Sequence, residues 1–223
     1  GKLTLNDALY IAHENFYEGG AAAGYGSSFG EYGLSLNKLW GDDSGCFGYR
    51  VNNKSALSLG DTVKEGDYVN AYIYKDQVGY SDLYTWFDKN FLSVKSGEQF
   101  TLSLYAAGYD DQWNEVVNPV SNADITINGE FIDCSTNESG QATFSISEEG
   151  EYIISAESKT ENIVAPVCKV SVSDEAVVIN QENKNAGDKS TQTGDDFNIV
   201  AIVIIVLAAL SVAAIILKKQ KLR

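Results

Sequence analysis

The side chains with the widest chemical reach here are one histidine, His13, three cysteines, Cys46, Cys134 and Cys168, and Arg50, the only arginine before the C-terminal tail. A Cys–His nucleophile pair needs thiol and imidazole within hydrogen-bond reach. No motif surrounds any of the three cysteines, and His13 reads as an exposed or capped helix histidine. Zinc-ligand spacing is missing. Asp42-Asp43 and Asp110-Asp111 offer paired carboxylates, but neither loop has the spacing of a calcium-binding EF-hand, so both read as solvated turns. The chain is therefore expected not to be an enzyme. What stands out instead is a crowd of rings around Arg50: Tyr25, Phe29, Tyr32, Trp40, Tyr49, Tyr68, Tyr72 and Tyr74. Aromatic faces beside one fixed cation suit a flat or anionic small ligand, or a peptide or glycan. The competing reading is that these rings build the core of a small sheet domain.

The elements that must position these rings follow from periodicity. Thr4-Leu5-Asn6-Asp7 is a capping box, and Leu5, Leu9, Ala12 and Phe16 recur at helical spacing, so a short amphipathic helix opens the chain. Gly19-Gly20 ends it. The stretch from 19 to 33, GGAAAGYGSSFGEYG, reads as a glycine-rich loop; it lacks the Lys-Ser/Thr ending of a phosphate-binding loop. Short strands follow. Phe47, Tyr49 and Val51 share one face of the first. In the strand over 67–74, Val69, Ala71 and Ile73 face the helix, leaving Tyr68, Tyr72 and Tyr74 opposite. With Tyr25, Trp40, Tyr49 and Arg50, that tyrosine face is the expected ligand surface. Residues 78–91, which include Tyr80, Tyr84, Trp86 and Phe87, are the segment that would fold back and cover it.

A second segment is read as all strand. Phe100-Leu102-Leu104, Ile125-Ile127, Ala142-Phe144-Ile146, Tyr152-Ile154-Ala156 and Cys168-Val170-Val172 alternate with polar residues, and turn signals lie at Asn128-Gly129, Ser139-Gly140 and Glu149-Gly150. This spacing is that of a β-sandwich. The expected class is thus mainly β: an α+β domain over 1–89, a sandwich over 90–173, then a polar stalk over 174–197. Cys134 and Cys168 either pair across the sandwich or sit in it as small hydrophobes; the odd cysteine count favours the second reading.

Ile199–Leu217 is apolar apart from Ser211, and Lys218, Lys219, Lys221 and Arg223 lie in the tail that follows. A helix of that length spans about 28 Å, close to a bilayer's hydrocarbon core. The sequence thus predicts a transmembrane helix over 198–217 and a cytoplasmic basic tail over 218–223, with everything earlier outside the cell. Counting 31 acidic residues against 16 Lys and Arg, of which four are in the tail, leaves the outer part strongly acidic. Neither nucleic acid nor an anionic membrane surface suits such a partner. With no Met and no export signal at the start, the chain is expected to be a piece of a longer precursor.

Three resemblances attach to these residues. LTLNDALYIAHENF, LWGDDSGCFGYRVNN and VKEGDYVNAYIYKD together resemble the DUF4430 family, the transcobalamin-like C-terminal domains of the β-grasp group. That resemblance implies a β-grasp-like fold and a small soluble ligand, with a cobalamin-like corrinoid as the suggestion. STNESGQATFSISEEGEYIISA (135–156) is similar to bacterial Ig-like surface repeats, which implies the fold. The alternative to ligand binding is a structural or adhesive stalk that presents an N-terminal domain to a host glycan or protein. Gram-positive surface folds of this kind also carry Lys–Asn isopeptide bonds, for which Lys95 or Lys169 with Asn162 are the candidates. The C-terminus resembles a Gram-positive cell-wall sorting signal, in which a sortase would cut between Thr193 and Gly194. Ser190 and Thr191 stand where that family has Leu and Pro, which removes a fixed φ from the cleavage motif.

Overall fold

The computed structural model describes residues 2–31 and 33–174; Tyr32, the stalk from residue 175 on, Thr193, Gly194 and Ile199–Leu217 lie outside these. Among the described residues, no helix is long and apolar enough to cross a membrane. The chain divides into two compact units between Tyr80 and Ser81.

The first unit begins with α1 (Leu5–Phe16) and α2 (Gly20–Gly24). The capping box forms as the sequence implies: the Asp7 amide donates to the Thr4 hydroxyl, and the Asp7 carboxylate accepts from the Thr4 amide. Two sheets follow. One is the hairpin β1 (Gly26–Gly30) and β2 (Gly33–Lys38). The other is three-stranded, with β3 (Phe47–Val51) between β4 (Lys54–Ser55) and β5 (Val69–Ile73), all pairs antiparallel. Leu5, Ala8 and Leu9 of the helix pack with Leu59, Val63 and Val69 in the core, and Tyr49, Val51 and Ala71 lie against it. The helix face differs from the expected stripe at two places: Phe16 is exposed, and His13 is wholly buried.

The stretch read as a glycine-rich loop is instead ordered as α2 and the hairpin. Its glycines serve close approach rather than flexibility. A Cβ on Gly24 would lie 2.4 Å from the Tyr17 ring, and one on Gly26 would lie 2.2 Å from the Asn37 side chain.

The second unit is a β-sandwich. One sheet holds β6 (Leu83–Phe87), β8 (Gln99–Tyr109), β9 (Glu115–Pro119), β12 (Gln141–Ser145) and β14 (Ile163–Val164). The other runs β11 (Glu130–Ser135), β10 (Ala123–Ile127), β13 (Gly150–Ser158), β15 (Cys168–Val172), β7 (Phe91–Val94). Their inner faces share one core built from Phe87, Leu102, Leu104, Ile125, Ile154 and Val170, among others. The alternations read from sequence are the ones buried. Residues 83–87 pair with β8 and so belong to this unit, not to the α+β segment over 1–89.

Two pairings are parallel. β7 runs alongside β15 in the register Lys169↔Phe91 to Val172↔Val94, and β6 alongside β14 as Ile163↔Leu83 and Val164↔Tyr84. The first strands of the unit are therefore tied to its last.

The three cysteines are free. Cys134 on β11 and Cys168 on β15 are separated by β10 and β13 in the same sheet. Three strand spacings amount to about 14 Å, far beyond disulfide reach, so the pairing option is excluded. Burial pushes the Cys168 thiol up to about 12 and raises that of Cys134, so both stay protonated. Of the candidate isopeptide residues, Lys169 is ion-paired with Glu151 at 2.8 Å, and Lys95 and Asn162 are exposed.

Gly140 marks the tightest backbone approach in the sandwich. It has φ +74, accepts the Leu104 amide on its carbonyl, and would place a Cβ 2.6 Å from the Leu104 carbonyl oxygen. Gly140→Ala is expected to destabilise this unit by about 1–3 kcal/mol, combining a left-handed backbone with overpacking. Denaturant titration checks this; an unchanged midpoint would contradict the packing described.

Candidate functional site

The seven expected ligand residues do not form one surface. β3 and β5 alternate in register, with Tyr49 opposite Ala71, Arg50 opposite Asn70 and Gly48 opposite Tyr72. Tyr49 and Ala71 face α1, so Arg50 and Tyr72 must face away. Tyr25 and Trp40 fall on the helix side with Tyr49. The sheet itself separates the two groups, and Tyr68 is buried.

On the helix side, His13 organises a ring cluster. A carbonyl only accepts and a backbone amide only donates, so its two hydrogen bonds determine its tautomer. Nδ1–H donates to the Leu9 carbonyl at 2.7 Å, and bare Nε2 accepts the Trp40 amide at 3.0 Å. The imidazole stacks on the Trp40 indole with centroids 4.0 Å apart and also meets the rings of Tyr17 and Tyr25. Trp40 itself sits at φ +49, an uncommon backbone for a bulky residue, and its indole N–H is buried with no acceptor among the described residues. Tyr25 donates its hydroxyl to Asn6 Oδ1 at 2.9 Å, and burial pushes that phenol up to about 12. Tyr17, not among the expected site residues, lies close against Gly24 and Gly41.

His13 is thus neither exposed nor a cap. Desolvation lowers its pKa, and both nitrogens are committed to holding α1 against the Trp40-Gly41 turn. A thiol partner would have to displace one of these bonds.

On the opposite face lies a smaller group. The Tyr72 ring covers Gly48 so closely that a Cβ there would sit 2.2 Å from it. The Tyr72 and Tyr74 rings are 5.2 Å apart, and Tyr74 meets Tyr80 edge-on at 5.3 Å. Buried Arg50 donates from Nη1 to the Asn53 carbonyl at 3.0 Å. Desolvation raises the Tyr72 phenol far above its ordinary range, with Arg50 acting in the opposite direction. Tyr80 and the nearby thiol of Cys46, 3.7 Å from its hydroxyl, were not among the expected site residues. This face holds a cation under rings, and only Tyr80 is well exposed.

The paired acidic residues are turn formers. Asp110 accepts from the amides of Gln112 and Asn114, and Asp42 from that of Ser44. Among the described residues, no group of three or more His, Cys, Asp or Glu is placed to hold a metal ion.

No family model and no curated protein matches the chain. Among solved structures it is similar to the D0-D1 domain of Intimin, at 16% identity over 66% of this chain and 76% of that one, with a TM-score of 0.27. A likeness at that score carries no argument about fold or role.

The histidine bridge yields a pH dependence. His13 has a lowered pKa when folded, so between that value and about 6.5 the unfolded chain binds the extra proton. Its contribution is complete above about pH 6.5 and is lost as pH falls toward the folded pKa. The lowered carboxylate of Asp7 acts only below its ordinary 3.8, outside this window. His13→Gln is expected to remove the pH slope between about 5 and 7 and to cost about 1–3 kcal/mol at pH 8, by leaving the Trp40 amide unpaired. Urea unfolding of both forms across that range checks it; a slope retained in the variant would contradict the assignment.

Proposed function

We propose that the chain is a non-enzymatic, surface-displayed tether: two β units in series that hold whatever lies before them away from the membrane or wall to which the C-terminus is fixed. One observation carries this reading. In the second unit the two opening strands, β6 and β7, run parallel to the two closing strands, β14 and β15, so tension between the chain ends loads these pairs in shear. The four β7–β15 pairs and the two β6–β14 pairs must then give way together. An antiparallel arrangement would place both ends on the same side and let the bonds open one at a time.

Further support comes from where the reactive side chains are spent. His13, Asp110 and Asp42 all hold local structure. The apolar run with its basic tail supports a membrane-anchored, N-terminal-side-out orientation, and Thr193-Gly194 supports sortase attachment to the wall as the alternative fixation. A small-ligand reading comes second. The resemblance to DUF4430 motivates it, and Arg50 beneath Tyr72 and Tyr74 is the observation in its favour; a corrinoid is the ligand that resemblance suggests.

Protease added to intact cells that express the chain should remove residues 1–174 without lysis. A region cut only after lysis would overturn the surface assignment.

A further inference from the structure

The outer face of the sandwich sheet carries a feature that neither the tether reading nor the first unit uses. Along β8, Tyr105, Ala107 and Tyr109 alternate away from the core, while Leu104 and Ala106 point into it. Register places Glu115 opposite Tyr109, Val117 opposite Ala107, and Trp86 beside Tyr105. The Trp86 and Tyr105 rings lie 6.2 Å apart, as do those of Tyr109 and Trp113. From Tyr105 to Tyr109 the strand advances about 14 Å, so the rings form a stripe rather than a knot.

Its outer end is built with care. Trp113 is 82% exposed and Tyr109 and Val117 are each 57% exposed. Trp113 sits at φ +63, a conformation costly for a bulky side chain. The loop that holds it there is tied by Asp110: its carboxylate accepts from the Gln112 and Asn114 amides and the Asn114 side chain, and its carbonyl accepts the Trp113 amide. A large apolar ring held out in solvent by a well-fixed loop raises the free energy of the free protein, and burying that ring against a partner recovers the cost.

We infer that this stripe, with Trp113 and Tyr109 at its exposed end, is a docking platform for an uncharged glycan chain. The charge of the surface selects the ligand class. The chain carries −15 overall, and Glu115 stands directly beside Tyr109 on the same face. Nucleic acids and acidic polysaccharides are repelled there. Uncharged sugars have the complementary properties: C–H faces that lie on aromatic rings, and hydroxyls that donate to a carboxylate. A linear stripe of rings along one strand matches a linear polymer better than a globular partner, which buries a rounder patch with an apolar centre. The inference does not depend on the tether reading.

The full chain, kept in a non-glycosidic detergent, is titrated with neutral oligosaccharides of the gluco, manno, xylo and N-acetylglucosamine series, following tryptophan fluorescence and heat. At least one series is expected to bind and to shift the tryptophan emission. Trp113→Ala and Tyr109→Ala should each weaken binding about tenfold, as expected for losing one stacked ring, while Trp113→Phe should retain most of it. Unfolding midpoints of the variants separate lost binding from lost folding. If no neutral series binds, or if folded Trp113→Ala binds unchanged, the proposal is overturned. A proline-rich peptide that binds at Trp113 where no glycan does would assign the face to a protein partner, which also overturns it.

Discussion

The parallel alignment of β7 with β15 is the constraint on which the second unit rests. It brings the beginning of that unit beside its end, so the sandwich closes only when residues some eighty positions apart have met. Leu92 and Val94 enter the core beside Val170 and Val172, and the ladder continues past the strands through the Lys169 amide to the Asn90 carbonyl and the Ser173 amide to the Val94 carbonyl. Closing so long a loop costs chain entropy that local pairing does not. That cost is recovered only because the same strands are fully apolar on their inner face. The closure and the core are therefore one cooperative event, and a unit of this kind opens as a whole rather than by fraying from its last strand.

The first unit solves a different problem. Its core is small, a cluster of six aliphatic side chains. His13 compensates by doing two jobs at once: it completes the helix's buried face and supplies the acceptor for a backbone amide in a turn that has no ladder of its own. A buried imidazole with both nitrogens satisfied avoids most of the desolvation penalty, provided it stays neutral. The glycines around Tyr17 and Tyr72 serve the same end, letting rings lie directly on backbone where side chains would hold them off.

Much of this was legible in the residues. The capping box at Thr4, the inward alternation of Phe100 to Leu104 and of Cys168 to Val172, and the Asn128-Gly129 turn are local signals, and local geometry follows them. Parity also placed Val69 and Ala71 on the helix correctly. The same rule applied to β3 puts Tyr49 with Val51 and against Arg50, so the expected seven-residue surface mixed two faces of one sheet. His13 was opaque because one of its partners is a backbone amide 27 residues away, which no side-chain pattern records. The parallel pairings were opaque because alternation reports which face a strand buries and not which strand lies beside it. Trp113 was overlooked because it lies in a polar hairpin loop outside every apolar period, and only its geometry shows that it is presented.

In the proposed tether, tension falls across β7 and β15, while His13 holds the first unit together and exposed rings lie at the end of β8. The claim that decides the account is the first. Single-molecule pulling of the second unit in two directions tests it, once through residues 81 and 174 and once through residue 129 in the β10–β11 turn and residue 174. The account requires the end-to-end direction to need clearly the higher unfolding force, with one abrupt release of the whole unit. Equal forces in the two directions, or stepwise release beginning at β15 when the ends are pulled, would contradict it.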